Sequence, residues 1–234
     1  MKKAFMRQMA MTVWAVLLTA AGAVRAQYPD LRITEAMSSS GTGGTVDWFE
    51  LTNYGLSSAT ITGWQVDDSS FVFANSVLLN GVTSIAAGES VIFLESAGGA
   101  ALASFRTFWG DIDLIQIGYY SGSGVGLSAS GDGLVCFDSG GTEVTPRVTF
   151  GAATTGSSFY YSYDTGGNPD TSPNAAAFVS VGGTLYGQVT DTSDDALGNV
   201  GSPGTAVAVP EPATGALLVP GALGLFRRRR RMRS

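Results

Sequence analysis

Residues Asp47–Asp68 read DWFELTNYGLSSATITGWQVDD. Phe49 and Leu51 stand two apart, and so do Trp64 and Val66. A pleated strand sends alternate side chains to opposite faces, so this spacing predicts two short strands, each with one apolar face. Asn53-Tyr54-Gly55 lies between them and predicts a turn, because Asn and Gly tolerate positive φ. The phase slips between Ile61 and Trp64, which places a bend or bulge at Gly63. The expectation is a hairpin that seeds the core through Trp48 and Trp64, two of only four tryptophans in the chain.

Outward from this stretch the same texture continues. Leu31 to Met37, Phe71 to Phe73, Val77 to Leu79, Glu89 to Glu95, Asp113 to Gly118, Leu134 to Phe137 and Thr145 to Phe150 are expected strands. Ser158 to Tyr163 (SFYYSY) is expected as an edge strand with exposed tyrosines, and Ala177–Val181 and Leu185–Val189 as weaker strands. The apolar centre of Glu89–Glu95 suits a strand covered on both faces. Gly99 to Trp109 breaks the pattern. Its Ala100, Ala101, Leu102, Phe105, Phe108 and Trp109 recur every three to four residues and predict one short helix. Asp191 to Pro203 is expected to be an acidic exit segment. Thirty-two glycines and frequent Gly/Ser/Thr turns favour an all-β domain.

Quoted in order, the pieces resemble a known family. Ile33-Thr34-Glu35 is followed by D-W-F-E-L-x-N-x-G (Asp47, Trp48, Phe49, Glu50, Leu51, Asn53, Gly55). Then comes I-x-G-W-x-x-D-D, with Gly63, Trp64 and Asp67. Downstream stand Ile85-Ala86-Ala87-Gly88-Glu89-Ser90, Trp109-Gly110, Gly126-Leu127-Ser128, Gly131-Asp132, Leu134 to Phe137 with Asp138, and a closing Gly201-Ser202-Pro203-Gly204. Together they resemble the lamin tail domain of secreted bacterial proteins, over roughly residues 30–205. The resemblance implies an all-β, immunoglobulin-like β-sandwich with one short crossing helix. It implies no particular chemistry, since a fold hosts many functions.

Both ends differ from the middle. Lys2, Lys3 and Arg7, the apolar run Ala10–Ala23 and the small residues of Val24-Arg25-Ala26 predict a secretory signal peptide over residues 1–26. The sandwich is expected over 27–205 and a sorting tail over 206–234. In that tail Val209-Pro210-Glu211-Pro212 leads into an apolar segment, Ala213 to Phe226, and then Arg227, Arg228, Arg229, Arg230 and Arg231. This resembles a PEP-CTERM signal. The resemblance implies an exosortase that recognises the Pro-Glu-Pro motif and processes the chain near it. An apolar segment ended by arginines halts translocation with the charges inside. Those 14 apolar residues fall short of the roughly 20 that a transmembrane helix needs. Pro220 interrupts them as well, which suits a transient membrane anchor.

Ten of the 13 basic residues lie in these ends. Between Gln27 and Val209 only Arg32, Arg106 and Arg147 face 18 acids, a net charge of −15. Such a body repels nucleic acid and attracts cations or basic surfaces. Histidine is absent and Cys136 is the sole cysteine. That removes Ser-His-Asp and Cys-His catalysis, the common zinc sites and any intrachain disulfide. Cys136, between Val135 and Phe137, is expected in the core.

Three candidate chemistries are left. Glu35, Asp47 and Glu50 could pair for carboxylate-dependent hydrolysis of a glycan, although acids at such positions more often meet solvent or turn amides. Asp164, Asp170, Asp191, Asp194 and Asp195, with Asp67-Asp68, could supply oxygens to Ca2+, but none fits the ordinary calcium loop. Tyr119-Tyr120 and Phe159-Tyr160-Tyr161-Tyr163 could stack on sugars, or simply fill the core. The expected function is non-catalytic: an exported, exosortase-sorted, structural or adhesive component of the cell envelope or extracellular matrix. Its expected partners are signal peptidase and exosortase during export, then envelope polysaccharide or matrix components. A carbohydrate- or Ca2+-binding module is the alternative, and a hydrolase the more remote one.

Overall fold

The computed structural model describes residues 30–41, 45–110, 115–122, 124–161, 163, 178–179, 188–189 and 199–206. The expected signal peptide, the Pro-Glu-Pro motif with its apolar and arginine segments, and the loop aspartates 164, 170, 191, 194 and 195 lie outside the described residues.

Two antiparallel-dominated sheets face each other. The larger contains β1 (Leu31–Met37), β2 (Trp48–Asn53), β7 (Ser90–Glu95), β8 (Ile117–Tyr120), β11 (Phe159–Tyr160) and β12 (Phe178–Val179), in the order β12-β11-β1-β2-β7-β8. The smaller contains β4 (Gln65–Asp67), β5 (Val77–Leu78), β9 (Asp132–Phe137) and β10 (Val148–Phe150), in the order β10-β9-β4-β5. Two short pairs complete it: β3 (Ala59–Thr60) with β6 (Ser84–Ile85), and β13 (Gln188–Val189) with β14 (Val200–Gly201). The fold is an immunoglobulin-like β-sandwich.

The expected hairpin is not one. β2 pairs with β1 and β7, whereas β4 pairs with β5 and β9 in the opposite sheet. The chain between them crosses the sandwich. Alternation correctly sets the inward faces: Phe49, Leu51, Ile61, Trp64 and Val66 all enter the inter-sheet core. Alternation carries no information about which strand is the neighbour, and two apolar faces can meet across a sandwich as well as along a ladder. The turn signals hold. The Asn53 side chain accepts from Gly55 N–H at 2.9 Å. Gly63 has φ 78, and Trp64 N–H donates to Ile61 O across the bend at 3.1 Å.

Helix α1 (Ala100–Trp109) forms where the apolar spacing places it. It joins β7 to β8, which run parallel, and a parallel pair requires a crossover of this kind. The helix therefore lies over the outer face of the larger sheet. Between helix and sheet, Phe105 and Trp109 of the helix join Met37, Trp48, Ile92, Leu94 and Ile117 in a second apolar cluster. Trp48 meets Phe105 and Trp109 edge-on at 5.7 and 5.8 Å. Thus β2 and β7 are covered on both faces, as the continuous apolar centre of β7 predicts.

Four further expectations change. Phe71–Phe73 is no strand; a 3-10 turn spans Phe73–Asn75. The strand expected at Asp113–Gly118 occupies Ile117–Tyr120, because its ladder follows Ile92–Glu95. The strand expected at Thr145–Phe150 begins at Val148, while Thr145 turns its hydroxyl to Cys136 N–H at 3.0 Å. The SFYYSY strand is flanked on both sides, by β1 and β12, so it is not an edge.

Candidate functional site

β1 and β2 run antiparallel, with Glu35 opposite Glu50. A register shift between Ile33 and Glu35 turns Glu35 to the same outer face as Trp48 and Glu50. Both glutamates are fully buried. Two carboxylates from neighbouring strands thus share one dry patch beside the helix-covered cluster.

The patch is roofed by residues 199–204. Ser202 N–H donates to Glu35 Oε1 at 2.8 Å, and Ser202 Oγ donates to Oε2 at 2.9 Å. Ser158 Oγ also donates to Oε1. Gly204 N–H donates to Glu50 Oε2 at 2.6 Å, and Thr34 Oγ1 donates to Glu50 Oε1 at 2.5 Å. A hydroxyl chain continues from Thr34 to Thr52 (2.8 Å) and from Thr52 to Ser90 (2.7 Å). Hydroxyls both donate and accept, so this chain can serve either protonation state of Glu50.

The roof needs its glycines. A Cβ on Gly201 would stand 2.9 Å from both Glu35 Oε1 and the Trp109 ring. A Cβ on Gly204, which has φ 86, would stand 2.1 Å from Ile115. Ser202-Pro203-Gly204-Thr205 closes as a tight turn, with Thr205 N–H donating to Ser202 O at 2.8 Å. Proline second and positive-φ glycine third is the pattern of a type II turn. Ahead of this turn, Val200 bonds to both Gly156 and Ser158, and Asn199 accepts from Gly41 N–H at 2.8 Å. The segment expected to leave the domain therefore docks on it over 199–204.

Burial dominates the electrostatics. Lost hydration raises Glu35 to about 7 against the hydrogen bonds from Ser158 and Ser202. It raises Glu50 to about 8, with the Glu35 charge adding to the effect. The two titrate as a pair that holds a proton near neutrality. No face of either carboxylate is open to a glycan, so the pair lacks the access that glycoside hydrolysis requires.

Asp47, the third candidate acid, stands apart. It is half-buried, and burial together with the Glu95 charge raises it to about 6. The remaining motif residues are architectural. Trp48, Phe49, Leu51 and Trp64 are core, and Gly55 and Gly63 turn the chain. Asn53 clamps three segments: its Nδ2 donates to Ser57 O (2.9 Å) and Ile85 O (3.0 Å), while its backbone pairs with Gly88 and Glu89. Asp67 Oδ2 accepts from Ser70 Oγ (2.6 Å) and Val72 N–H (2.7 Å), pinning the loop after β4. Asp68 accepts from Ser70 N–H at 3.3 Å. Among the described residues, no three acidic or thiol side chains are grouped so as to hold a metal ion.

Tyr120, Tyr161 and Tyr163 are buried, and the Tyr163 hydroxyl donates to Ile33 O. Tyr119 and Tyr160 are half-buried, so the two aromatic runs do not make an open stacking platform. Cys136 is in the core, where burial pushes its thiol up to about 12. Among the described residues no helix is long and apolar enough to cross a membrane.

Sequence reasoning missed the roof, with Ser158, Gly201, Ser202 and Gly204 as its working parts. The one available signal was Gly-Ser-Pro-Gly, whose second glycine and proline are spaced for a tight turn.

No curated protein matches the chain. The family model for the Lamin Tail Domain matches residues 25–152, more than half of the 234 residues. That span includes β1, β2 and both glutamates, with the sandwich from β1 through β10. The lamin tail domain is an immunoglobulin-like structural module, and this chain belongs to the lamin tail domain family.

Proposed function

We propose that this protein is an exported, exosortase-sorted component of the cell envelope or extracellular matrix, and that its sandwich acts without catalysis as a structural or adhesive element. The observation that carries this reading is the order of segments along the chain. A basic, apolar, small-residue leader precedes the acidic sandwich. Val209-Pro210-Glu211-Pro212, an apolar stretch and an arginine block follow it. Signal peptidase removes residues 1–26. The Ala213–Phe226 segment, stopped by Arg227–Arg231, holds the chain at the membrane until an exosortase acts near Pro210–Pro212. The sandwich, with 3 basic and 18 acidic residues between Gln27 and Val209, then faces matrix polysaccharide, cations or basic protein surfaces outside the membrane.

The buried carboxylate pair supports the non-catalytic part. Its four oxygens accept from hydroxyls and backbone amides of the same domain, which is how a closure is built rather than a substrate site. Glu211→Ala tests the sorting step. The variant should stay membrane-associated with its arginine block intact while the sandwich folds normally. Tail removal that continues unchanged would refute the assignment.

A further inference from the structure

Residues 199–204 are joined to the sheet by an unusual set of contacts for a chain segment leaving a β-sandwich. Two of its backbone amides, Ser202 and Gly204, end on carboxylates 35 and 50. Its one hydroxyl contact, from Ser202, ends on Glu35 as well. No side chain of the segment enters either apolar core cluster. The remaining ties are backbone bonds of Val200 with Gly156 and Ser158, a bond from Gly41 N–H to the Asn199 side chain, and the antiparallel pairing of Val200–Gly201 with Gln188–Val189. Gly201 and Gly204 lie close against Trp109 and Ile115, and Pro203 is buried, so release of this segment exposes two carboxylates to water together with one edge of the helix-covered cluster.

We propose that the 199–204 segment is a proton-controlled latch: it closes on the Glu35–Glu50 pair while the pair retains a proton, and lets go when both carboxylates are ionised. This goes beyond the sorting reading and stands or falls separately from it.

The reasoning is a balance of solvation. In the closed state the pair is dry, and two negative charges on facing strands repel. Donors from Ser158, Ser202, Gly204, Thr34 and Thr52 can cradle one charge. The cation on β1, Arg32, stands opposite Thr52, donates to Leu31 O at 2.8 Å and lies over the Tyr163 ring. The charge that acts on Glu50 is that of Glu35. From the helix above, Arg106 donates to Ile115 O at 2.8 Å, and Trp109 presents a ring edge. From β11, Tyr160 stands opposite Glu35 in register, and from β7 Ser90 supplies only a hydroxyl. Opening hydrates both carboxylates and returns them toward the ordinary range. Closing therefore takes up a proton, so acid favours the closed latch and alkali the open one. An open latch frees six residues, about 20 Å of extended chain, between the sandwich and everything that follows.

The test is hydrogen–deuterium exchange of the full chain from pH 6 to pH 9, corrected for the intrinsic pH dependence of exchange. Protection of the peptide covering 199–205 should fall on the order of tenfold or more as the pair ionises. Peptides from β2 and β7 should stay protected, which separates local release from unfolding. In Glu50→Gln the amide oxygen can still accept from Gly204 N–H, and the amide nitrogen can donate to Thr34 Oγ1. That variant should hold its latch protection across the range. Constant wild-type protection, or a fall only in step with β2 and β7, would overturn the proposal. So would an equal fall in Glu50→Gln. If that variant does not fold, the wild-type comparison of latch and strands decides the matter alone.

Discussion

Replacing Glu50 with Gln should stabilise the domain at pH 8 and flatten its dependence on pH. In the native state burial and the Glu35 charge hold the Glu50 proton up to about 8, against 4.5 for an ordinary glutamate. Glu35 is held to about 7. Above pH 4.5 the unfolded chain has lost protons that the folded pair still keeps. The pair's contribution is therefore complete below pH 4.5 and is lost as pH rises through 7 to 8. Each retained proton lowers stability by about 1.4 kcal/mol per pH unit. Over the three or so units concerned, one such proton amounts to about 4 kcal/mol, and Gln removes it while keeping the side chain's shape. Part of that gain is offset by the charge-assisted hydrogen bond from Gly204, worth about 1.5–3 kcal/mol. The expected net gain at pH 8 is about 1–3 kcal/mol. Urea unfolding at pH 5, 6, 7 and 8 would read it as a higher midpoint at unchanged slope. Asp47 is also raised, through burial and Glu95, and bends the curve in the same direction. Asp47→Asn in both backgrounds separates it. A wild-type stability that rises from pH 5 to pH 8, or a Glu50→Gln variant with the wild-type slope, would refute the reasoning.

Three other substitutions and reactions test the frame around the site. Trp64→Ala should cost about 3–5 kcal/mol by urea unfolding, since the ring is buried in the inter-sheet core; a cost below about 1 kcal/mol would place it elsewhere. Asn53→Ala should cost about 1–3 kcal/mol, because the Ser57 and Ile85 carbonyls both lose their side-chain donor. Cys136 should resist a thiol reagent at pH 8 in the folded protein and react on addition of denaturant, given its burial and raised pKa. Rapid labelling of the native protein would contradict that placement.

Much of the fold is legible in the sequence because periodicity reports faces. The inward set Phe49, Leu51, Trp64 and Val66 follows from spacing alone, and so does the helix that ends at Trp109. Partnership is another matter. Nothing in the Asp47–Asp68 stretch distinguishes a hairpin from a crossing between sheets, since Asn53 and Gly63 turn the chain in either case. The parallel β7–β8 pair is equally silent, because Ile117 to Tyr120 alternates as any strand does. The site is the least legible part. Glu35 and Glu50 carry the pattern of solvent-facing strand residues, and what buries them comes from more than 150 positions away, through Ser202 and Gly204. That roof has no apolar rhythm to announce it. Its requirements are space at Gly201 and a positive φ at Gly204, which are properties of the folded surroundings. The buried tyrosines make the same point: Tyr161 and Tyr163 resemble an exposed aromatic run, yet both are buried and the Tyr163 hydroxyl donates to Ile33 O.

Export followed by tail processing around a passive sandwich would be read in the intact mass of the mature protein recovered from its own envelope and medium. The expected mass lacks residues 1–26 and everything beyond about Pro212, as a leader and a Pro-Glu-Pro signal require. A mass that retains Arg227–Arg231 would contradict it and leave the domain permanently tethered by its own tail.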